Sequence, residues 1–144
     1  MAHPQIATFA RVADGNTAAI RKLEGQRTKL GRTMHGIAYN PARDEFLVAQ
    51  PFAQSILVFR GGVSGDAQPV RTIQGPLTQM EDPDKVEMDP VHNEIFVPED
   101  HKVIVFSGDA NGSVAPLRVL ESTGKARWYG IAVDPVNNAL ILAG

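Results

Sequence analysis

The side chains of this sequence that could carry chemistry fall in five short segments separated by alternating shorter and longer stretches. Met34 and His35 form the first, and Gln50, Phe52 and Gln54 the second. Glu81, Asp82 and Asp84 follow, then Glu99, Asp100 and His101, and lastly Arg127, Trp128 and Tyr129. Two chemistries suit such a set. Asp82, Asp84, Glu99, Asp100 and His101 offer hard oxygen ligands and a base, the equipment of hydrolysis at a metal ion. Trp128, Tyr129 and Phe52, with polar neighbours, can instead anchor a peptide, glycan or protein, because Trp and Tyr are enriched in binding hot spots. A third reading gives the aromatics and carboxylates structural tasks, packing between repeats and solvating loops. No Gly-x-Ser-x-Gly elbow, phosphate loop or His-Glu-x-x-His motif occurs, and Ser55, Ser64, Ser107, Ser113 and Ser122 lie in loop or edge contexts without a strained elbow.

The elements that must position these residues are repeats. A 20-residue phrase occurs at Ile6 to Gly25, Ile56 to Gly75 and Val103 to Ser122, aligned without a gap. Each copy has an aromatic (Phe9, Phe59, Phe106), a turn glycine (Gly15, Gly65, Gly112), an arginine (Arg21, Arg71, Arg118) and an aliphatic (Leu23, Ile73, Leu120) at matching offsets. A second phrase occurs at Gly36 to Gln50, Lys85 to Glu99 and Gly130 to Gly144. There a short apolar run meets Asn40-Pro41, Asp89-Pro90 or Asp134-Pro135, and a polar turn leads to another apolar run. Proline cannot donate to a ladder and pushes its predecessor away from helix, so each dipeptide ends one strand and opens a turn. Each phrase therefore predicts a hairpin, and two hairpins predict four strands per repeat. Asn16 to Glu24 has helix-forming residues, but its alignment with the β-rich 68–74 and 115–121 overrides that local preference.

A period of about 40 to 50 residues made of strands is the mark of a propeller blade, which cannot bury both faces without neighbours. The segments GIAYNP…DEFLVA and GIAVDP…NALILA, with the IxVF…G…PxRxIxG continuation, resemble NHL-type propeller repeats, in particular a bacterial subgroup with long outer hairpins. The chain departs from that pattern at Ala49 to Phe52 and Pro98 to Asp100. The resemblance implies an all-β propeller of four-stranded antiparallel blades. It leaves function open, because such propellers host enzymes, peptide binders and nucleic-acid binders alike.

Counting blades gives three equivalents: the outer hairpin of a shared blade in residues 1–30, full blades in 31–80 and 81–127, and the inner hairpin of a shared blade in 128–144. Three blades cannot close a ring, and unpaired edges invite association. Homodimerisation about a twofold axis would give six blades and a closed isologous assembly. The competing expectation is a truncated piece of a longer propeller with no independent function. In a ring, the innermost strands line the channel, and one mouth collects the segments named above. The expected ligand-binding residues are His35, Gln50, Phe52, Asp84, Glu99, Asp100, His101, Trp128 and Tyr129. No catalytic or resident metal-binding residue is assigned, and no cofactor. Calcium is the ion that the resemblance to six-bladed lactonases would bring, held by ligands from several blades. The aligned positions here are His35, Asp84 and Tyr129, with a single carboxylate. The expected reading is a binding scaffold, with a lactonase or esterase as the alternative.

Composition is that of a water-soluble domain, with 43% hydrophobic and 21% charged residues. Fourteen basic residues face 16 acidic ones, for a net charge of −2, which argues against a nucleic-acid partner. The basic residues Arg21, Lys22, Arg27, Lys29 and Arg32 read as solvated guards of an outer edge, and the recurrent Arg21, Arg71 and Arg118 as pairing with a neighbouring blade or solvent. Cysteine is absent, so packing and ring closure rather than disulfides must hold the fold. No membrane span and no signal peptide are visible, which predicts a cytoplasmic protein, or a secreted one if a leader was removed.

Overall fold

Each Asn-Pro or Asp-Pro dipeptide turns the chain back through the side chain that precedes the proline. In the computed structural model, which describes residues 3–144, Asn40 Oδ1 accepts the Ala42 N–H at 3.0 Å, Asp89 Oδ1 that of Val91 at 2.9 Å and Asp134 Oδ1 that of Val136 at 3.1 Å. Asp44, Asn93 and Asn138 complete the three turns in the left-handed region, with φ of 50°, 53° and 55°. Asn and Asp tolerate that conformation better than other side chains.

Twelve strands result: β1 (Gln5–Thr8), β2 (Arg21–Glu24), β3 (Ile37–Asn40), β4 (Glu45–Gln50), β5 (Ser55–Arg60), β6 (Arg71–Gln74), β7 (Glu87–Asp89), β8 (Glu94–Glu99), β9 (Lys102–Ser107), β10 (Arg118–Glu121), β11 (Gly130–Asp134) and β12 (Ala139–Ala143). Short 3-10 helices follow β2 at Gln26–Thr28 and β6 at Pro76–Thr78, and no α-helix occurs among the described residues. The strand at Arg21–Glu24 follows the repeat alignment rather than its local helix preference. β3-β4-β5-β6 and β7-β8-β9-β10 are four-stranded antiparallel sheets, and β1-β2 and β11-β12 are two-stranded hairpins. Pro98 occupies the place of Ala49, whose N–H donates to Gly36 O at 2.9 Å. Proline has no such donor, and β7 is correspondingly shorter than β3.

The innermost strands stand side by side, β3 next to β7 and β7 next to β11. At the outer rim, each sheet reaches back to the one before it. Leu23 bridges Gly65 and Ile73 bridges Gly112, both in parallel. The Gly65 N–H donates to Lys22 O at 2.8 Å and Gly65 O accepts from Glu24 N–H at 3.1 Å; Gly112 repeats the pattern with Thr72 and Gln74. A positive φ, 71° at Gly65 and 76° at Gly112, aims both groups of the glycine at the neighbouring strand.

Between the two four-stranded sheets lies the main core, with Leu47, Ile56, Val58 and Ile73 from one and Ile95, Val97, Ile104 and Phe106 from the other. Burial is uneven between equivalent positions. Phe59 and Phe106 are 1% and 0% exposed, but Phe9 is 50% exposed. Leu23 and Ile73 are 2% and 0% exposed, but Leu120 is 48% exposed. Ile37 and Tyr39 are likewise exposed where Val86 and Met88 are buried, and Ile141 where Leu47 and Phe96 are buried. Full burial of such a side chain contributes about 1.5–3 kcal/mol, so the outward faces of the two hairpins leave several such contributions unrealised.

Candidate functional site

The loops entering β3, β7 and β11 and the turns after β4 and β8 gather on one face, as the repeat geometry requires. Gln54 in the β4–β5 turn donates through Nε2 to Glu81 O at 3.0 Å, and the Trp128 N–H donates to Asp100 O at 2.8 Å. His35 and Asp84, which occupy equivalent positions of successive repeats, meet through Nδ1 and Oδ1. Lys85 Nζ stands 3.2 Å from the other Asp84 oxygen. Burial pushes the Asp84 carboxyl up, but the hydrogen bonds from His35 and Lys85 outweigh it and hold the group below the usual carboxylate range.

Gln50 and Glu99 are placed differently from the sequence expectation. Both side chains are buried and turned back on the loop that precedes their own sheet. Gln50 Oε1 accepts the Gly31 N–H, and its Nε2 donates to Lys29 O at 3.1 Å and Ser55 Oγ at 3.2 Å. Glu99 accepts the Glu81 N–H at 3.0 Å and the Asp82 N–H at 3.2 Å. The reason is local: an acceptor at the end of the second strand lies opposite the N–H groups of the incoming loop that no strand pairs, and it satisfies them. These two residues therefore brace the incoming loops, and Glu99 also lines the cleft beside the β11-β12 hairpin.

Burial drives the Glu99 carboxyl above its ordinary value, and the two N–H groups and Lys102, 3.6 Å away, offset only part of the cost. A raised acid favours the folded state where it is protonated, so this contribution is present at low pH and lost as pH rises through the folded-state value. Gln50 does the same task uncharged. Glu99→Gln is accordingly expected to leave stability near pH 4 unchanged within about 0.5 kcal/mol and to raise it by about 1 kcal/mol at pH 8. Urea titrations at the two pH values measure this, and a variant less stable at pH 8 would refute it.

The remaining predicted residues, Trp128 apart, are presented outward. Phe52 is 84% exposed at the β4–β5 turn and Tyr129 is 66% exposed before β11. Asp100 Oδ2 is 3.0 Å from His101 Nδ1, and its Oδ1 is 2.8 Å from Arg127 Nε. Trp128 is half-buried, packed against Phe96, Val103 and Val105, and so divides its surface between core and cleft. A cleft between the second four-stranded sheet and the β11-β12 hairpin is lined by Glu81, Asp82, Asp84, Glu99, Asp100, Arg127, Trp128 and Tyr129. Among the described residues, no group of three or more His, Cys, Asp or Glu is placed to hold a metal ion.

Two features escaped the sequence reading. Lys102 folds over this face, with Nζ 3.2 Å from Gln79 O, and its register partner across the hairpin is Glu99. Two of the recurrent arginines, expected against a neighbouring sheet or solvent, also grip their own sheets. Arg71 makes a bidentate pair with Glu45 at 2.9 and 2.8 Å, and Arg118 with Glu94 at 2.9 and 2.7 Å. Each arginine lies two strands from its glutamate and reaches across the strand between. The recurrence of Glu45 and Glu94 at one repeat offset was the available signal.

No protein family matches the sequence, and no curated protein matches it significantly. Among the described residues, no helix is long and apolar enough to cross a membrane.

Proposed function

We propose that this chain is one half of an NHL-like β-propeller, completed to six blades by a second copy, and that it binds a peptide, glycan or protein ligand at one mouth of the ring. The binding reading rests chiefly on the exposed aromatics Phe52 and Tyr129, which share a face with Asp82, Arg127 and His101 beside a cleft. Exposed aromatic rings flanked by groups of both charges are what hot spots are made of, since rings supply area and the charges fix orientation. A scaffold is favoured over an enzyme by the pairing pattern. The one carboxylate among the three aligned positions, Asp84, is engaged by His35 and Lys85.

Closure is supported by the repeat positions that are buried in the middle of the chain and exposed at its two hairpins, Phe9 and Leu120 foremost. Light scattering is expected to return twice the 15.5 kDa of one chain. Fluorescent protein applied to peptide and glycan arrays is expected to label a subset of spots. The Phe52→Ala/Tyr129→Ala variant should lose that signal by about tenfold or more, the scale of a hot-spot truncation. Arrays on which wild type and variant are indistinguishable would remove the binding reading, whatever the mass proves to be.

A further inference from the structure

Two intramolecular joints show how one sheet docks on the next, and each outer hairpin carries half of a third. Gly15 aligns with Gly65 and Gly112 and already has their conformation, with φ of 63°, but bridges no strand among the described residues. Leu120 aligns with Leu23 and Ile73, the residues those glycines bridge, and has no glycine against it. Among the described residues, β1 pairs only with β2, and β12 only with β11. An apolar groove of about 430 Å³, lined by Ile6, Ala7, Phe9, Ile37, Tyr39 and Phe46, lies where an inner hairpin would sit beside β1.

Building on the six-bladed reading, we propose the register of the seam between copies and infer that it is the weakest joint of the ring. Transferring the β4·β5 and β8·β9 registers gives the same answer from either sheet: Ala139 of β12 opposite Ala10 of the second copy, Leu140 opposite its Phe9, and Ala143 opposite its Ile6. At the rim, Gly15 of the second copy bridges Leu120, donating to Val119 O and accepting from the Glu121 N–H. The occupant is a second copy because the groove beside β1 lacks a two-stranded inner hairpin and β11-β12 is one. The same docking repeated about a twofold axis fills both vacancies.

Two substitutions weaken this seam relative to the joints within the chain. The arginine clamp is missing, because Ala139 stands where Glu45 and Glu94 stand. Among the described residues, Arg21 accordingly lacks the carboxylate partner that Arg71 and Arg118 have. The close approach is also blocked. Gly25 and Gly75 let the next sheet's connection, at Asp66 and Ser113, come into the space a Cβ would take, but the third copy has Ser122. The ring therefore parts at its two seams before either internal joint yields.

The test uses the full chain and its dimer dissociation constant, read by sedimentation across a dilution series. Ala139→Glu should tighten the dimer about tenfold at each of two seams, about a hundredfold in all, by restoring a charge-assisted bidentate pair with Arg21 of the other copy. Adding Arg21→Ala should abolish that gain. Ser122→Gly should tighten the dimer independently. In this cysteine-free chain, Ala10→Cys with Ala139→Cys should give an interchain disulfide under mild oxidation, whereas Ala7→Cys with Ala139→Cys should not. A dimer that ignores Ala139→Glu, or cross-links only in the second pairing, overturns the register and leaves closure standing. A chain that is monomeric at every concentration, with folded melting behaviour, overturns closure and the seam together.

Discussion

Glu45→Gln is expected to lower the free energy of unfolding by about 3 kcal/mol, and the same change at the equivalent Glu94 by under about 1 kcal/mol. The two clamps have one geometry and two environments. Arg71 and Glu45 are 13% and 9% exposed at the side chain, and Arg71 also donates to Gly108 O of the following sheet at 2.8 Å. Arg118 is 55% exposed, because nothing among the described residues covers it as the following sheet covers Arg71. Removing one charge of a buried pair strands the other in a poorly solvated place, whereas an exposed arginine turns to water.

The pH dependence has a definite sign. The Arg71 hydrogen bonds hold the Glu45 carboxyl below its usual value, against the opposing effect of burial. A depressed acid contributes stability that is complete above the unfolded value near 4.5 and disappears as pH falls through the folded value. Urea unfolding of wild type should therefore show an acid limb that Glu45→Gln flattens. Equal costs at 45 and 94 would mean that burial, not pairing geometry, has been misjudged. If a second copy covers Arg118, the cost of Glu94→Gln should grow with protein concentration, an effect Glu45→Gln should not share.

Repeat alignment carried the strand order because every anchor has a physical task that only a few residue types perform. Phe59 and Phe106 fill equivalent places in two successive core clusters, Gly65 and Gly112 adopt positive φ, and Asn40, Asp89 and Asp134 close their turns. The face was legible for the same reason, since strand alternation dictates on which side each loop lies. What each polar side chain does there was not legible. Gln50 and Glu99 look like offered ligands in sequence, yet the N–H groups they satisfy belong to residues 31, 81 and 82, a loop whose path no local pattern reveals. The clamp shows the converse. Arg71 and Glu45 are 26 residues apart, and only the count of strands between them makes the pair readable.

Gly75→Ala is expected to cost about 3 kcal/mol, against about 1 kcal/mol for Gly62→Ala, and the difference measures how closely two sheets meet. Both glycines have positive φ, 132° and 75°, so a side chain is strained at either. Space separates them. A Cβ at Gly62 would meet nothing within 4 Å, whereas one at Gly75 would overlap Ser113 Cβ and stand 3.1 Å from Ser113 Cα, part of the neighbouring sheet's backbone. Ser113 cannot retreat freely, because its Oγ accepts the Leu77 N–H at 3.1 Å and Gly112 beside it is bonded to Thr72 and Gln74. The overlap is therefore relieved by parting the joint, which unbridges Ile73 and opens the main core. Ser113→Gly in the same chain removes the side-chain overlap, but the backbone at 113 still crowds the new methyl group and the Leu77 hydrogen bond is lost. Denaturant titrations of the double-mutant cycle should show partial rescue, with a coupling of about 1 kcal/mol. Additive costs, or a Gly75→Ala loss no larger than that of Gly62→Ala, would mean that the joint tolerates a side chain. Ser122 would then be no obstacle at the seam.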